Sequence, residues 1–348
     1  MNNSLIDTLS SCGHIPETWT SSDRSTILVL PYGGRILGLF PPGSDQNFLW
    51  THPALQSVDS ARAFYQSNSW HNSGGDRTWL SPEVDFFLPQ FPVTDVYVQP
   101  RELDPGHYQL TRVNGYLTLK NCFSLKLSRS GRTAHLELSK RLKPARNPLR
   151  HSHPELAEKL AYAGYSLCTR LEFTGDQTER PQIGLWSLLQ MPFGGELVIP
   201  TISQSVVQTY FGRIDAGDIS VTKRLIRYRM KSAGEHKLGV SALAVIGRVG
   251  YFYTMESESC LVIRNFSINP SGEYVDVPWN DTQSNGAAVE ACNVNSSLGA
   301  FSELEYHVPA IGGPEGSSSC EDDSQVWAFR GKEQDIREVG RTLISSEL

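Results

Sequence analysis

The sequence predicts an all-β protein, a large antiparallel β-sandwich with few short helices. Three observations predict it. Strand-like runs recur along the 348 residues with turn residues between them. One long run, residues 116–142, alternates with period two: Tyr116, Thr118, Lys120, Ser124, Lys126 and Ser128 interleave with Leu117, Leu119, Leu125 and Leu127. Helical periodicity is confined to short segments. Many short strands with few helices give a sandwich. One domain is expected over residues 1–348, with 1–24 as an N-terminal extension and 332–348 as a C-terminal tail.

The elements follow in chain order. Residues 25–40, "STILVLPYGGRILGLF", place two β-rich runs around a Pro-Tyr-Gly-Gly turn, a hairpin signature. Segment 55–68 can hold a helix. "DVYVQP" (95–100) reads as a strand. Residues 107–142 read as an antiparallel meander, turned by Arg-Ser-Gly-Arg at 129–132. Residues 153–164 carry Pro154 in a first turn and Leu156 and Leu160 at helical spacing, which predicts a helix ending near Gly164. "LGVSALAVIGRVGYFYTM" (238–255) returns to strand. Residues 301–310 alternate as another strand. Residues 312–324 are poor in apolar side chains and read as a solvated loop. The tail predicts a short terminal helix.

Composition narrows the function. The net charge is -6 and no Lys/Arg cluster stands out, which argues against a nucleic-acid partner. No run approaches the roughly 18 apolar residues of a membrane helix, so no membrane partner is expected. The N-terminus lacks a basic and then apolar leader pattern, so a cytoplasmic protein is expected. The six cysteines are dispersed with no C-x-x-C pair, which points to buried free thiols and against a structural metal. There is no P-loop, no G-x-S-x-G elbow and no dinucleotide fingerprint. No cofactor is expected. Seven Trp and thirteen Tyr suit a β core and also suit stacking on sugar rings.

Two stretches hold the candidate chemistry. In "FSELEYHVPA" (301–310), Glu303, Glu305 and His307 share one strand face, and Leu304, Tyr306 and Val308 the other. Neighbouring carboxylates raise each other's pKa and can poise one for proton transfer. The plain alternative is a solvated outer face. In "SWHNSGGDRTWLSPE" (69–83), His71, Asp76, Arg77, Trp79 and Glu83 crowd around Gly74-Gly75. That stretch reads either as a ligand-lining loop or as an elaborate turn.

Together these stretches resemble the galactose mutarotase-like, or aldose 1-epimerase, superfamily. "LEYHVP" resembles the family's strand carrying a catalytic glutamate, with Glu305 at the matching position. His71, Gly74-Gly75 and Trp79 resemble its His-Gly-Gly element, with an insertion after the histidine. "GGRILGLF" resembles its early Gly-x-Arg-Ile strand and places Arg35. The region aligned with a second family histidine is "GLWSLLQMPFGGELVIPT" (184–201), which offers Trp186 and Gln190 but no histidine. The pattern looks closer to uncharacterised bacterial members than to characterised epimerases.

The resemblance implies a β-supersandwich with a sugar cleft. It implies Glu305 as base and His71 as acid in anomer interconversion, with His307 as a second candidate acid or an orienting group. Arg35, Asp76, Arg77, Trp79, Glu83, Trp186, Gln190 and His307 would bind substrate. The expected partner is a mono- or oligosaccharide, and the expected assembly a monomer or homodimer. A polysaccharide lyase, a glycoside hydrolase using Glu305 with Glu83 or Asp76, and a non-catalytic carbohydrate-binding protein remain as alternatives. A lyase would give the basic segment around Arg224, Arg227, Arg229 and Lys231 a role.

Overall fold

The computed structural model describes residues 4–175, 179–281, 285–314 and 316–348. The chain begins with α1 (Ser4–Ser11), then β1 (Glu17–Thr20), β2 (Thr26–Leu30), β3 (Arg35–Phe40), α2 (Val58–Gln66), β4 (Asp76–Ser81) and the short α3 (Glu83–Phe86). An antiparallel run follows: β5 (Gln109–Val113), β6 (Tyr116–Lys126), β7 (Thr133–Pro144), α4 (Pro154–Glu158) and β8 (Ala161–Phe173). Next come β9 (Gly184–Pro192), β10 (Glu196–Pro200), β11 (Val207–Phe211), β12 (Ile219–Val221), β13 (Leu225–Arg229) and β14 (Gly234–Val240). The chain closes with β15 (Arg248–Met255), β16 (Glu258–Asn265), β17 (Val289–Ser296), β18 (Gly299–His307), β19 (Ser319–Gly331) and α5 (Glu333–Leu343).

Two large antiparallel sheets result. The nine-stranded sheet runs β1-β2-β3-β4-β9-β18-β17-β14-β11, and the ten-stranded sheet β12-β13-β10-β15-β16-β19-β8-β7-β6-β5. Their inner faces share one apolar core, with Leu304 and Tyr306 of β18 meeting Tyr165 of β8 and Val326 of β19 in the same cluster. Sequence pattern follows exposure. β6 alternates buried and wetter positions because only one of its faces is covered. β2, "TILVL", is buried throughout because α1 and α2 cover its outer face: Leu28 and Leu30 pack with Leu9, Leu37, Phe40, Leu55 and Ala61. The predicted hairpin is the β2–β3 pair, with Gly33 and Gly34 both at positive φ in its turn.

Four expectations change. The helix expected over 153–164 stops at Glu158, and β8 starts at Ala161. The alternating burial of Ala161–Phe173, with β7 and β19 as partners on its two edges, outweighs the weak helical spacing. Residues 319–324 belong to β19 instead of a solvated loop, whose Glu315 lies outside the described residues. Asp322 is buried there because it accepts a 2.6 Å hydrogen bond from the Tyr306 hydroxyl. Residues 95–100 form no strand. The Val98 amide donates instead to Phe87 O at 2.9 Å, carrying Tyr97 toward Glu83. The six thiols are free, but only Cys260 and Cys292 are buried, and Cys122 is exposed. No described helix is long and apolar enough to cross a membrane.

Candidate functional site

β18 puts Glu303, Glu305 and His307 on the outer face of the nine-stranded sheet, yet they are only 6, 1 and 1% exposed. This face is therefore covered, not a solvated flank. The register builds the floor around them. Glu305 lies directly between Leu188 of β9 and Glu290 of β17. Glu303 lies between Gln190 and Cys292. Lys237 of β14 follows Cys292, and Phe211 of β11 follows Lys237. On the other side, Arg77 of β4 sits beside Leu188 and Trp79 beside Trp186. Loops carrying His52, Trp70, Tyr97 and Trp279 form the walls of a cleft of about 660 Å³.

One buried ammonium organises the electrostatics. Lys237 Nζ lies 2.8 Å from Glu290, 3.2 Å from Glu83, 3.6 Å from Asp276 and 3.8 Å from Glu305. Burial opposes its charge, but these carboxylates win and hold its pKa well above the ordinary lysine value. Burial would likewise raise Glu290, but Lys237 and His307, whose Nε2 is 3.1 Å away, hold it well below the usual carboxylate range. Burial and the Glu290 charge push Asp276 up to about 7, against Lys237 and His307. Glu305 is pushed well above the carboxylate range by burial first, with Glu303, Glu290 and Glu83 adding and Lys237 opposing. Its Oε2 accepts from Trp186 Nε1 at 2.8 Å. Its Oε1 has no hydrogen-bond partner among the described residues.

Other cleft atoms share that unfinished state. Arg77 spends Nη2 on Glu303 at 2.7 Å, and its Nε and Nη1 have no hydrogen-bond partner among the described residues. Both amide atoms of Asn72, a residue only 4% exposed, are likewise unpartnered. Buried polar atoms are almost always satisfied, so a cluster of open ones along one cleft marks room for a polar guest. Glu83 is the opposite case: Tyr97, Trp279 and Lys237 all donate to it, at 2.7, 3.0 and 3.2 Å.

The structure gathers some of the sequence-selected residues and separates others. Glu305, Arg77, Trp79, Glu83 and Trp186 line the cleft. Gln190 lies in the floor, donating to Glu303 Oε1 at 3.0 Å. His307 lies behind it, stacked on Trp186 at 5.6 Å and beside Glu290. His71 is not among the lining residues. Its Nδ1 meets the Tyr32 hydroxyl at 2.6 Å and its Nε2 the Ser67 carbonyl at 3.0 Å, so both ring nitrogens serve the loop. Asp76 faces the core and pairs with Arg264 of β16 at 3.1 and 3.2 Å. Arg35 is fully buried on Asp104 at 2.8 Å and on Gly74 O at 2.9 Å. The tryptophan faces are also partly taken. Arg77 lies 4.2 Å from the Trp79 ring centre and Lys237 4.3 Å from that of Trp186.

Sequence reasoning missed Lys237, Asp276, Glu290, Cys292, Tyr97 and Trp279. Glu290 and Cys292 carried a usable signal, since "VEACNVN" alternates as "FSELEYH" does. Lys237 carried none, because a lysine in a strand normally signals a wet face. Arg227, Arg229 and Lys231 line a separate depression beside α5 with Glu196 and Arg337. Among the described residues two sets of groups have metal-ligand geometry, Asp276-Glu290-His307 behind the cleft and Cys292-Glu303-Glu305 in it, each with donor atoms within 4.8 Å of one another. In the first set the Lys237 ammonium already lies against Glu290, where a cation would bind. The second fits a divalent ion by donor type, with Arg77 and Lys237 as its competitors for charge.

Comparison with known proteins places the chain in a family and identifies its fold. The family model for DUF6786, a family of unknown function, matches residues 15–348. No curated protein matches the sequence. Among solved structures, a galactose mutarotase-like protein from Lactobacillus casei matches with a TM-score of 0.51 at 8% identity, covering 90% of this chain and 99% of that one. A galactose mutarotase related enzyme from Lactobacillus acidophilus gives 0.46 at 10% identity, covering 91% and 98%. A galactose 1-epimerase from Lactobacillus acidophilus NCFM gives 0.43 at 7% identity, covering 91% and 94%. The sandwich thus has the galactose mutarotase-like fold.

Proposed function

We propose, for a chain that belongs to DUF6786, a family of unknown function, that it is a carbohydrate-active protein which takes a sugar in this cleft and moves a proton through Glu305. The observation that carries the reading is the set of open polar atoms along one aromatic-walled cleft: acceptor Glu305 Oε1, donors Arg77 Nε and Nη1, and both kinds on Asn72. A sugar hydroxyl donates and accepts at once, so a polyol satisfies such a mixed set. The fold shared with a galactose mutarotase-like protein points the same way.

Anomer interconversion fits the chemistry at Glu305. One group must take the anomeric hydroxyl proton and another must protonate the ring oxygen. A carboxyl raised by burial exchanges protons nearer neutrality than an ordinary one. Lys237 stabilises negative charge developing at that end of the cleft, and the open donors of Arg77 and the amide of Asn72 hold ring hydroxyls. His71, held by Tyr32 and Ser67, is not positioned to serve as the acid without loop movement, so the partner acid is sought among cleft groups. A lyase acting on uronic acids is less well supported. The charges of Arg77 and Lys237 are already set against Glu303 and Glu290, so neither is free to neutralise a sugar acid.

Exchange NMR on glucose and galactose tests the proton transfer. The wild type is expected to speed anomer exchange above buffer, and Glu305→Gln to bring it back to the buffer rate. Wild-type rates equal to buffer on a panel of common aldoses would remove mutarotation from the reading and leave binding alone.

A further inference from the structure

We propose that the cleft is built for a glycan of two or more sugar units lying along β18, with a free monosaccharide filling only one end of it. This deepens the carbohydrate reading above and rests on it. Phe301, Glu303 and Glu305 follow one another on the same face of β18 and all line the cleft. At ~3.4 Å per residue, the floor from Phe301 to Glu305 is about 14 Å long. That length exceeds a single hexose ring.

The two ends are separately equipped. At the Glu305 end, Lys237 links Glu305 to Glu83, and Glu83 accepts from Trp279 Nε1 at 3.0 Å. Trp279 stacks with Tyr97 at 6.2 Å, so an aromatic wall stands there, and Phe211, 5.3 Å from Trp279, continues it toward Phe301, against whose cluster it packs. At the Phe301 end, Phe301 packs on Trp50 at 4.6 Å, and Trp50 meets His52, which stacks on Phe64 at 4.5 Å. Asn72 belongs to this end. The His52 amide donates to the carbonyl of the adjoining Ser73 at 3.1 Å. Each end therefore has both an aromatic wall and open buried polar atoms: Glu305 Oε1 at one, the Asn72 amide at the other. One ring cannot satisfy both, whereas linked rings can. Leu298, 44% exposed on the β17–β18 turn, extends the second end toward solvent along the path of a longer chain.

The test is a length series measured by calorimetry: glucose, galactose, and the di- and tetrasaccharides of the cello-, malto- and β-1,4-galacto- series. The expected result is at least a tenfold gain in affinity from monosaccharide to tetrasaccharide in one series. Asn72→Ala, which removes the open amide and leaves no orphaned group, is expected to cut the tetrasaccharide-to-monosaccharide affinity ratio at least fivefold. Leu298→Asp, at an exposed turn where folding is not at stake, is expected to cut it less. A monosaccharide that binds as tightly as its own oligomers overturns the inference and leaves the carbohydrate reading standing. So does a length gain that neither variant reduces. If no sugar of any length binds, the carbohydrate reading falls and the inference with it.

Discussion

Asp76 and Arg77 are neighbours on β4 and face opposite sides of one sheet. Inward, Asp76 takes two hydrogen bonds from Arg264 and one from Tyr165 at 2.6 Å, and Arg264 also donates to Ser187 at 2.6 Å. That assembly ties the two sheets together and leaves the carboxylate fully satisfied. Outward, Arg77 makes one ion pair and keeps two donors open, above a floor where Glu305 is raised and half-bonded. Both faces are dry and both are charged. The difference lies in the carboxylates: Asp76 is fully bonded, although Arg264 Nε has no partner among the described residues, whereas Glu305 keeps an oxygen open on the side where the cleft can receive a ligand.

Breaking the inner network has the largest expected effect. Arg264→Met leaves Asp76 buried without its cation and is expected to cost ~3–5 kcal/mol, the usual penalty for removing one partner of a buried pair. Urea unfolding reads this as a lower midpoint with an unchanged slope. A loss under about 1 kcal/mol would mean that the inner pair is no more structural than the outer one.

The outer face predicts the opposite sign. A carboxyl raised in the folded state favours folding below its unfolded pKa, and that contribution is lost as pH rises toward the folded value. The ordinary glutamate value is 4.5. Between that value and the raised folded one, each pH unit costs the fold about 1.4 kcal/mol, because the unfolded chain gives up the proton first. Glu305→Gln removes that dependence, so the variant is expected to gain stability relative to the wild type as pH rises from 5. Asp276 acts with the same sign between the ordinary aspartate value of 3.8 and its folded value of about 7. Asp276→Asn is expected to gain less, because it also gives up a contact with Lys237. Glu290 has the reverse sign: its contribution stands above the ordinary glutamate value of 4.5 and is lost as pH falls below it. Urea midpoints of the three proteins at pH 5, 6, 7 and 8 check this. A Glu305→Gln variant less stable than wild type at every pH would make Glu305 a structural residue.

What the sequence disclosed follows the same division. Alternation revealed the meander of β5 to β7 and put Glu303, Glu305 and His307 on one face, because period two is a property of the strand alone. Which face is buried is a property of the tertiary cover. Alternation therefore left Glu305 undecided between a solvated flank and a site, and the low apolar content of 312–324 led 319–324 to be read as loop. Asp76 and Arg77 show the limit most sharply. Adjacent residues in a strand must face opposite ways, so they could not both bind the same ligand, and only the register shows which one meets the cleft. Lys237 was out of reach because its four carboxylates come from two strands, one short helix and one loop spread over more than two hundred residues.

The smallest expected effect lies on the other sheet and sharpens the comparison by its absence. Arg227 of β13 is partly exposed and pairs with Glu196 at a loose 3.7 Å. Such a pair gives a fraction of a kcal/mol, screened by salt. Arg227→Ala is expected to shift stability by less than about 0.5 kcal/mol and to leave glycan affinity unchanged. If it instead weakened binding of an acidic glycan, such as a uronic acid oligomer, while Arg77→Ala did not, the ligand would sit on the ten-stranded sheet. The open polar atoms beside Glu305 would then need another explanation.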